Sequence, residues 1–189
     1  MSRHLEDCRK LLRGGTIGRM QVISSIERSS SPLISTTARW LRRLLETHAD
    51  LGPAIARVTL GLVMFPHGAQ KMLGWFGGYG FSGTYGFMTA KLGVPGIFAV
   101  LAILAEFVGA LALIAGIGSR IAALGIAAVM LVAIGMVHLS HGFFMNWTGA
   151  QGGEGFEYHL LALALAAIVL VKGGGKGSVD RALTSDSST

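Results

Sequence analysis

The chain has 189 residues, of which 51% are hydrophobic and only 14% charged, with a formal net charge of +6. Soluble domains carry roughly 25% charged residues, and here ten of the 16 Lys and Arg lie at or before Arg57. Between residues 58 and 171 the only bases are Lys71, Lys91 and Arg120, and the only acids Glu106, Glu154 and Glu157. The composition therefore excludes an ordinary water-exposed surface. It also leaves no continuous basic face for a nucleic-acid partner. The single Cys8 rules out an intramolecular disulfide or a CxxC redox centre.

Residues 1–31 are rich in Ser, Arg and Gly and lack the apolar core of a cleaved secretory signal. They read as a loosely ordered extension. Over 33–46, Trp40, Leu41, Leu44 and Leu45 share one helical face beside Arg39, Arg42 and Arg43. That pattern predicts an amphipathic helix lying in the cytoplasmic interface; docking against a partner helix fits it too. Residues 1–52 are thus expected to form a cytoplasmic or interfacial extension.

Four apolar segments follow. Pro53–Leu73 is the least regular, because Pro66 removes a donor and favours a kink. Pro95–Ile117 is opened by proline, carries Glu106 near its middle and closes at Gly116–Gly118. Arg120–His141 is apolar until His138. Phe156–Val171 is short against the ~20 residues of a usual membrane span, and Lys172 is placed to snorkel from its end. The expected architecture is all-α: a polytopic membrane four-helix bundle over 53–172, followed by a flexible cytoplasmic tail over 173–189. Four crossings put both termini on one side, and the excess of Lys and Arg on that side makes it cytoplasmic.

This topology brings polar residues together at the opposite side. His67 and Lys71 lie one turn apart near the outer end of the first segment, His138 and His141 near that of the third, and Glu157 and His159 open the fourth. Glu106 sits near the midplane, where an ionised carboxylate needs a partner; His67, Gln70, Arg57 and Lys71 are the candidates. A single polar pair locking the bundle and a substrate, quinone or proton-handling site both fit. His67 and His138 form the best-placed pair for a bis-His haem, but haem is disfavoured. No HExxH, CxxC or EF-hand spacing exists, so no metal site is expected. The Gly74–Phe87 loop interleaves glycine with six aromatics. It lacks the strand–GxGxxG–helix setting of a dinucleotide site. It reads as an interfacial aromatic belt, or as a lid that would present Trp75 and Tyr79 to an apolar ligand. Small residues such as Gly109, Ala110, Ala122 and Gly125 allow close helix packing within the bundle or in a homo-oligomer.

The order of short motifs resembles the DoxX family of small bacterial four-helix membrane proteins over about residues 53–184. The matching pieces are Arg57-Val-Thr-Leu-Gly61, Phe65-Pro-His-Gly-Ala-Gln-Lys71-Met-Leu-Gly-Trp-Phe-Gly-Gly-Tyr-Gly80, Glu106-Phe-Val-Gly-Ala110, Gly118-Ser-Arg120 and Gly175-Lys-Gly-Ser178-Val-Asp180-Arg181. The resemblance implies a multi-pass protein of the bacterial inner membrane, described as an oxidoreductase or an oxidoreductase-associated subunit. Relatives are linked to thiosulfate:quinone oxidoreduction, to oxidative-stress and thiol-homeostasis complexes, or to catechol and quinone resistance. It supports Arg57, His67, Gln70, Lys71 and Glu106 as site residues; His138, His141 and His159 stand on the topology alone.

Two functions remain open at this point. In the first, the chain is a quinone-linked or redox-complex-associated subunit. Glu106, His67 and Lys71 then handle protons, and Arg57, Gln70, Trp75, Tyr79, His138, His141 and His159 surround the ligand. Electrons come from a cytoplasmic redox-enzyme partner, and the cofactor is unassigned. In the second, it is a non-catalytic membrane scaffold or a small-molecule permeability factor. Whether the chain is itself an enzyme is left open.

Overall fold

The structure is a computed structural model and describes residues 50–185. The amphipathic helix expected over 33–46 lies outside the described residues. Those described form helices and turns and contain no strand.

Helix α1 (Leu51–Leu73) starts where the Asp50 carboxylate accepts from the Gly52 amide at 3.2 Å and ends at Gly74, whose φ of +76° suits a residue without Cβ. It runs unbroken through Pro66. A 3₁₀ turn, Trp75–Gly77, leads into α2 (Gly80–Gly86), which continues as a π turn over Phe87–Lys91. The stretch 74–94 is therefore largely helical and not the open loop its glycines suggest. Helix α3 (Gly96–Ala115) begins after Pro95, and Gly116 and Gly118, with φ of +75° and +57°, turn the chain into α4 (Ser119–Ala133). That helix widens into a π turn over Ile134–His138 and ends in a 3₁₀ turn, Leu139–His141. Helix α5 (Glu157–Lys172) and the short α6 (Val179–Ser185) complete the chain.

Helices α1 and α4 each pack on both α3 and α5. The shared core is built from Leu60 and Met64 of α1, Leu113 of α3, Ile126 and Met130 of α4 and Val169 of α5. The outward faces are apolar as well: Ile55, Leu62, Leu111, Leu131, Leu161 and Ile168 are all exposed. Two helical stretches, Gly96–Ala115 and Ser119–His141, are long and apolar enough to cross a membrane. Of the other two segments expected to span, α5 has only 16 residues, and α1 is long enough but carries Arg57, His67, Gln70 and Lys71.

The α1–α3 contact is a seam of residues spaced by three and four: Arg57, Gly61, Met64, Gly68 and Lys71. A Cβ on Gly68 would lie 2.5 Å from Phe107 Cα and 2.6 Å from its nitrogen; one on Gly61 would meet the Ala110 carbonyl oxygen at 2.9 Å. The glycines thus allow backbone-to-backbone packing, as at small-residue helix interfaces in membranes. Arg57 and Lys71 stand at the two ends of this seam, 14 residues and about 21 Å apart.

Residues 173–185 are not the loose tail expected of them. The Asp180 carboxylate accepts from the Gly118 and Ser119 amides at 2.7 and 2.8 Å, capping α4 from outside its own helix. The Asp180 amide donates to the Gly116 carbonyl at 2.9 Å and the Lys176 amide to that of Asp50 at 3.0 Å. The segment therefore crosses the ends of α1, α3 and α4. Glycine-rich sequence suggests flexibility, but Gly173, Gly174 and Gly175 are buried, and at Gly174 and Gly175 a side chain would not fit.

Candidate functional site

Close packing at Gly68 sets the site. Because Gly68 lies against Phe107, the residue one turn on, Lys71, meets the residue just before Phe107, Glu106. The Lys71 ammonium and the Glu106 carboxylate form an ion pair, the one salt bridge among the described residues. The Glu106 side chain is 2% exposed and that of Lys71 31%. Sequence reasoning asked which of four groups would neutralise Glu106; the answer is Lys71. A buried carboxylate requires such a partner, and the partly exposed Lys71 side chain presents the pair to a cavity.

That cavity, about 1320 Å³, lies between α3, α4 and the α2 segment. Its apolar walls are helical stripes: Phe98, Leu101, Ala102 and Ala105 on α3 face Gly125, Ala128, Val132 and Met136 on α4. The α2 segment closes one side with Tyr79, Thr84, Phe87, Met88 and Lys91, while Gln70, Lys71, Glu106 and His138 supply further polar lining. Helices α3 and α4 pack from their tight turn up to about mid-length, where a Cβ on Gly125 would meet that of Ala105 at 3.2 Å. Toward their other ends no side chain of the described chain fills the space between them.

Of the residues nominated from sequence, Glu106, Lys71, Gln70, Tyr79 and His138 thus line one cavity. Gln70 also holds the neighbouring turn, its amide donating to the Phe76 carbonyl at 3.1 Å, and Gly78 fits against the Gln70 backbone. Phe76 adopts φ +53°, an unusual conformation for a residue with a side chain. The His138 Nδ1 lies 2.8 Å from the Glu154 carbonyl oxygen. A carbonyl only accepts, so Nδ1 carries a hydrogen here.

The others lie elsewhere. His67 turns toward α5, its ring 5.7 Å from that of Tyr158. His159 is buried behind His138, with ring centroids 4.1 Å apart, and its Nδ1 has no hydrogen-bond partner among the described residues. His67 and His138, paired in the sequence reading for a haem, instead stack on different residues of α5. His141 packs over Gly153 on the loop before α5. Trp75 is exposed and contributes nothing to the cavity wall. No cluster of three or more His, Cys, Asp or Glu side chains among the described residues is arranged to hold a metal.

Arg57 is far from the cavity and bound to main-chain carbonyls. Its Nε donates to the Gly174 carbonyl at 2.8 Å, and one terminal nitrogen donates to the carbonyls of Leu113 and, at 2.8 Å, Ile114. The guanidinium therefore ties α1 to the last turn of α3 and to the segment after α5. Sequence reasoning missed the apolar stripe of α4 as a wall of the cavity. The stripe's spacing of three and four was visible, but it looks the same whether it faces a core, lipid or a cavity.

The arrangement is that of a helical membrane protein with a buried ion pair at the end of an apolar cleft. Residues 52–139 match the model of the DoxX family. That match includes α1 to α4 and the ion pair, and stops before α5. No curated protein and no solved structure matches the chain.

Proposed function

We propose that this protein is a four-pass membrane subunit that binds a quinone-type ring beside Lys71 and Glu106 and handles its protons. The observation that carries the reading is the ion pair opening onto an otherwise apolar cleft. An apolar pocket with a few convergent polar groups is the usual form of a small-molecule site. A quinone ring is apolar on its faces and accepts hydrogen bonds at its two carbonyl oxygens. Lys71 offers an ammonium donor, and Tyr79 and Lys91 are further residues of the same lining.

Reduction of a quinone to a quinol takes up two electrons and two protons. The electrons come from a separate redox enzyme, because neither a dithiol nor a dinucleotide motif is present in the sequence. The protons pass through the Lys71–Glu106 pair, whose ammonium can donate one to a reduced quinone oxygen and whose carboxylate can take one up from water to replace it. The four crossings are supported by apolar outward faces on α1, α3, α4 and α5, and cytoplasmic ends by the concentration of bases in residues 1–57. The bacterial inner membrane is the compartment that the DoxX likeness implies.

The test is equilibrium binding of a labelled, tail-free benzoquinone to the full chain in lipid nanodiscs. Glu106→Gln, which keeps size and hydrogen bonding but removes the charge, is expected to weaken binding about tenfold or more, equivalent to about 1.4 kcal/mol. Tryptophan fluorescence checks that the variant is folded. No binding by the wild-type protein would return the scaffold reading.

A further inference from the structure

The cavity is larger than a small ligand requires, and its charge is unbalanced. Pockets for drug-sized ligands occupy roughly 300–1,000 Å³, whereas this one holds about 1320 Å³. Its charged lining is Lys71, Lys91 and Glu106, a net of one positive charge. Glu106 is already neutralised by Lys71. Lys91, at the end of the π turn that follows α2, has no carboxylate partner among the described residues. An ammonium beside an apolar cleft of a membrane protein favours an anion there.

The apolar part has the depth of one leaflet. The lining residues of α4 run from Gly125 to Val137, 12 residues or about 18 Å of helix, close to half of a bilayer's ~30 Å hydrocarbon core. The slot between α3 and α4 closes at one end where a Cβ on Gly125 would meet that of Ala105 at 3.2 Å. Toward the other end the run Lys91–Pro95 lines the cavity throughout and leads into α3. Phe98, Leu101, Val132 and Met136 line the cavity and are also 60, 52, 54 and 47% exposed. The slot is therefore open sideways, along the two helical stretches long and apolar enough to cross a membrane. In the four-pass topology, lipid lies beside it.

We infer that this side of the cavity is a binding site for an anionic phospholipid, with the phosphate at Lys91 and one acyl chain in the slot between α3 and α4. The site goes beyond the quinone reading and does not depend on it, since the ring lies at Lys71 and Glu106 and the volume accommodates a second occupant. Charge selects the head. A zwitterionic lipid brings its own cation and leaves the excess positive charge in place, whereas a phosphodiester with an uncharged alcohol balances it. The phosphodiester also stays ionised beside hydrocarbon, where a carboxylic acid readily takes up a proton. Depth selects the tail, because an apolar slot of leaflet length suits an acyl chain and asks for no hydrogen-bond partner. The open side leaves the second chain in the bilayer.

Native mass spectrometry of the full chain in detergent, titrated with phosphatidylglycerol and with phosphatidylcholine of the same acyl chains, tests the site. Wild-type protein is expected to take up one phosphatidylglycerol with a Kd about fivefold or more below that of phosphatidylcholine, as one lysine near an anionic head provides. Lys91→Gln is expected to bring the two lipids within about twofold of each other, and Lys91→Arg to keep the preference. Lys176→Gln, at the opposite end of the fold where the Lys176 amide meets Asp50, should leave it unchanged. Leu101→Trp combined with Val132→Trp, at positions more than half exposed, narrows the slot and is expected to weaken phosphatidylglycerol about tenfold. Thermal unfolding checks each variant, and Lys91 is exposed, so its substitutions test the site even where the tryptophans disturb folding. No preference in the wild type, or one that survives Lys91→Gln, would overturn the site. Glycerol phosphate bound as tightly as the lipid, or an unchanged Kd in a folded double tryptophan variant, would overturn the acyl-chain assignment; oleate bound more tightly would overturn the phospholipid. No quinone is present in these titrations, so each of these results leaves the quinone reading as it stands.

Discussion

Replacing Arg57 by methionine separates a structural cation from a ligand-binding one. The side chain is 3% exposed and donates three hydrogen bonds to main-chain carbonyls of Leu113, Ile114 and Gly174. Methionine keeps much of the aliphatic length and removes all three. A hydrogen bond from a charged donor contributes about 1.5–3 kcal/mol, so the gross loss is several kcal/mol. The Ile114 carbonyl is only partly buried, and water can replace the donor there. Asp180, at the same end of the fold, also loses the nearby positive charge. Removing one member of a buried charged network costs about 3–5 kcal/mol, and we expect Arg57→Met to fall in that range. This corresponds to a change of more than about a hundredfold in the folding equilibrium. Unfolding of the detergent-solubilised protein with increasing SDS, followed by far-ultraviolet circular dichroism, measures it. Limited proteolysis of the same samples is expected to show new cleavage within 173–185, since the Gly174 anchor is gone. A variant as stable as wild type but unable to bind the quinone would refute the clamp and restore Arg57 to the ligand.

Two further predictions concern the same framework. Asp180→Ala is expected to cost about 1–2 kcal/mol, because the Gly118 and Ser119 amides lose their acceptor and the α4 N-terminus its negative charge. Asp180→Asn, which retains one acceptor oxygen, should fall between it and wild type in the same SDS titration; wild-type stability in both would dismiss the cap. Gly68→Ala is expected to cost about 1–3 kcal/mol by overpacking, because its Cβ would sit 2.5 Å from a backbone atom that cannot step aside. Gly135→Ala is the control: nothing lies within 4 Å of the added Cβ, so it should be neutral or slightly stabilising.

The four long helices were legible because the apolar segments are long, their ends carry Pro95, Gly74 and Gly116, and charge is rare between them. What stayed hidden was local order in glycine-rich stretches. Gly80, Gly83 and Gly86 each disfavour a helix by roughly 1 kcal/mol relative to alanine, yet α2 forms where Thr84 becomes buried. Likewise, the glycines at 173–175 look like a flexible linker until the close approach to Ala54 and Ser119 is known. The site was half legible. Glu106 stands out in sequence because a lone carboxylate in an apolar helix demands explanation, but its partner is fixed by the α1–α3 crossing. His67, His138 and His159 share an end of the molecule, and only side-chain direction separates the first from the cavity. Arg57 stands among the ligand candidates through the family resemblance and as a possible partner for Glu106. Its opposite placement along α1 follows directly from counting residues.

The seam from Arg57 to Lys71 also works as a ratchet with one permitted tooth. Sliding α1 past α3 by one helical turn, about 5.4 Å, would unseat the guanidinium from its carbonyls and the ammonium from Glu106 in the same movement. It would also drive Gly61 and Gly68 out of the two places where backbone meets backbone. Piston motion is thereby closed to this pair. Opening for a bulky guest is left to the other walls of the cavity, the α2 segment and the ends of α3 and α4 away from their Gly116–Gly118 turn, with α1 held in place as the fixed rail.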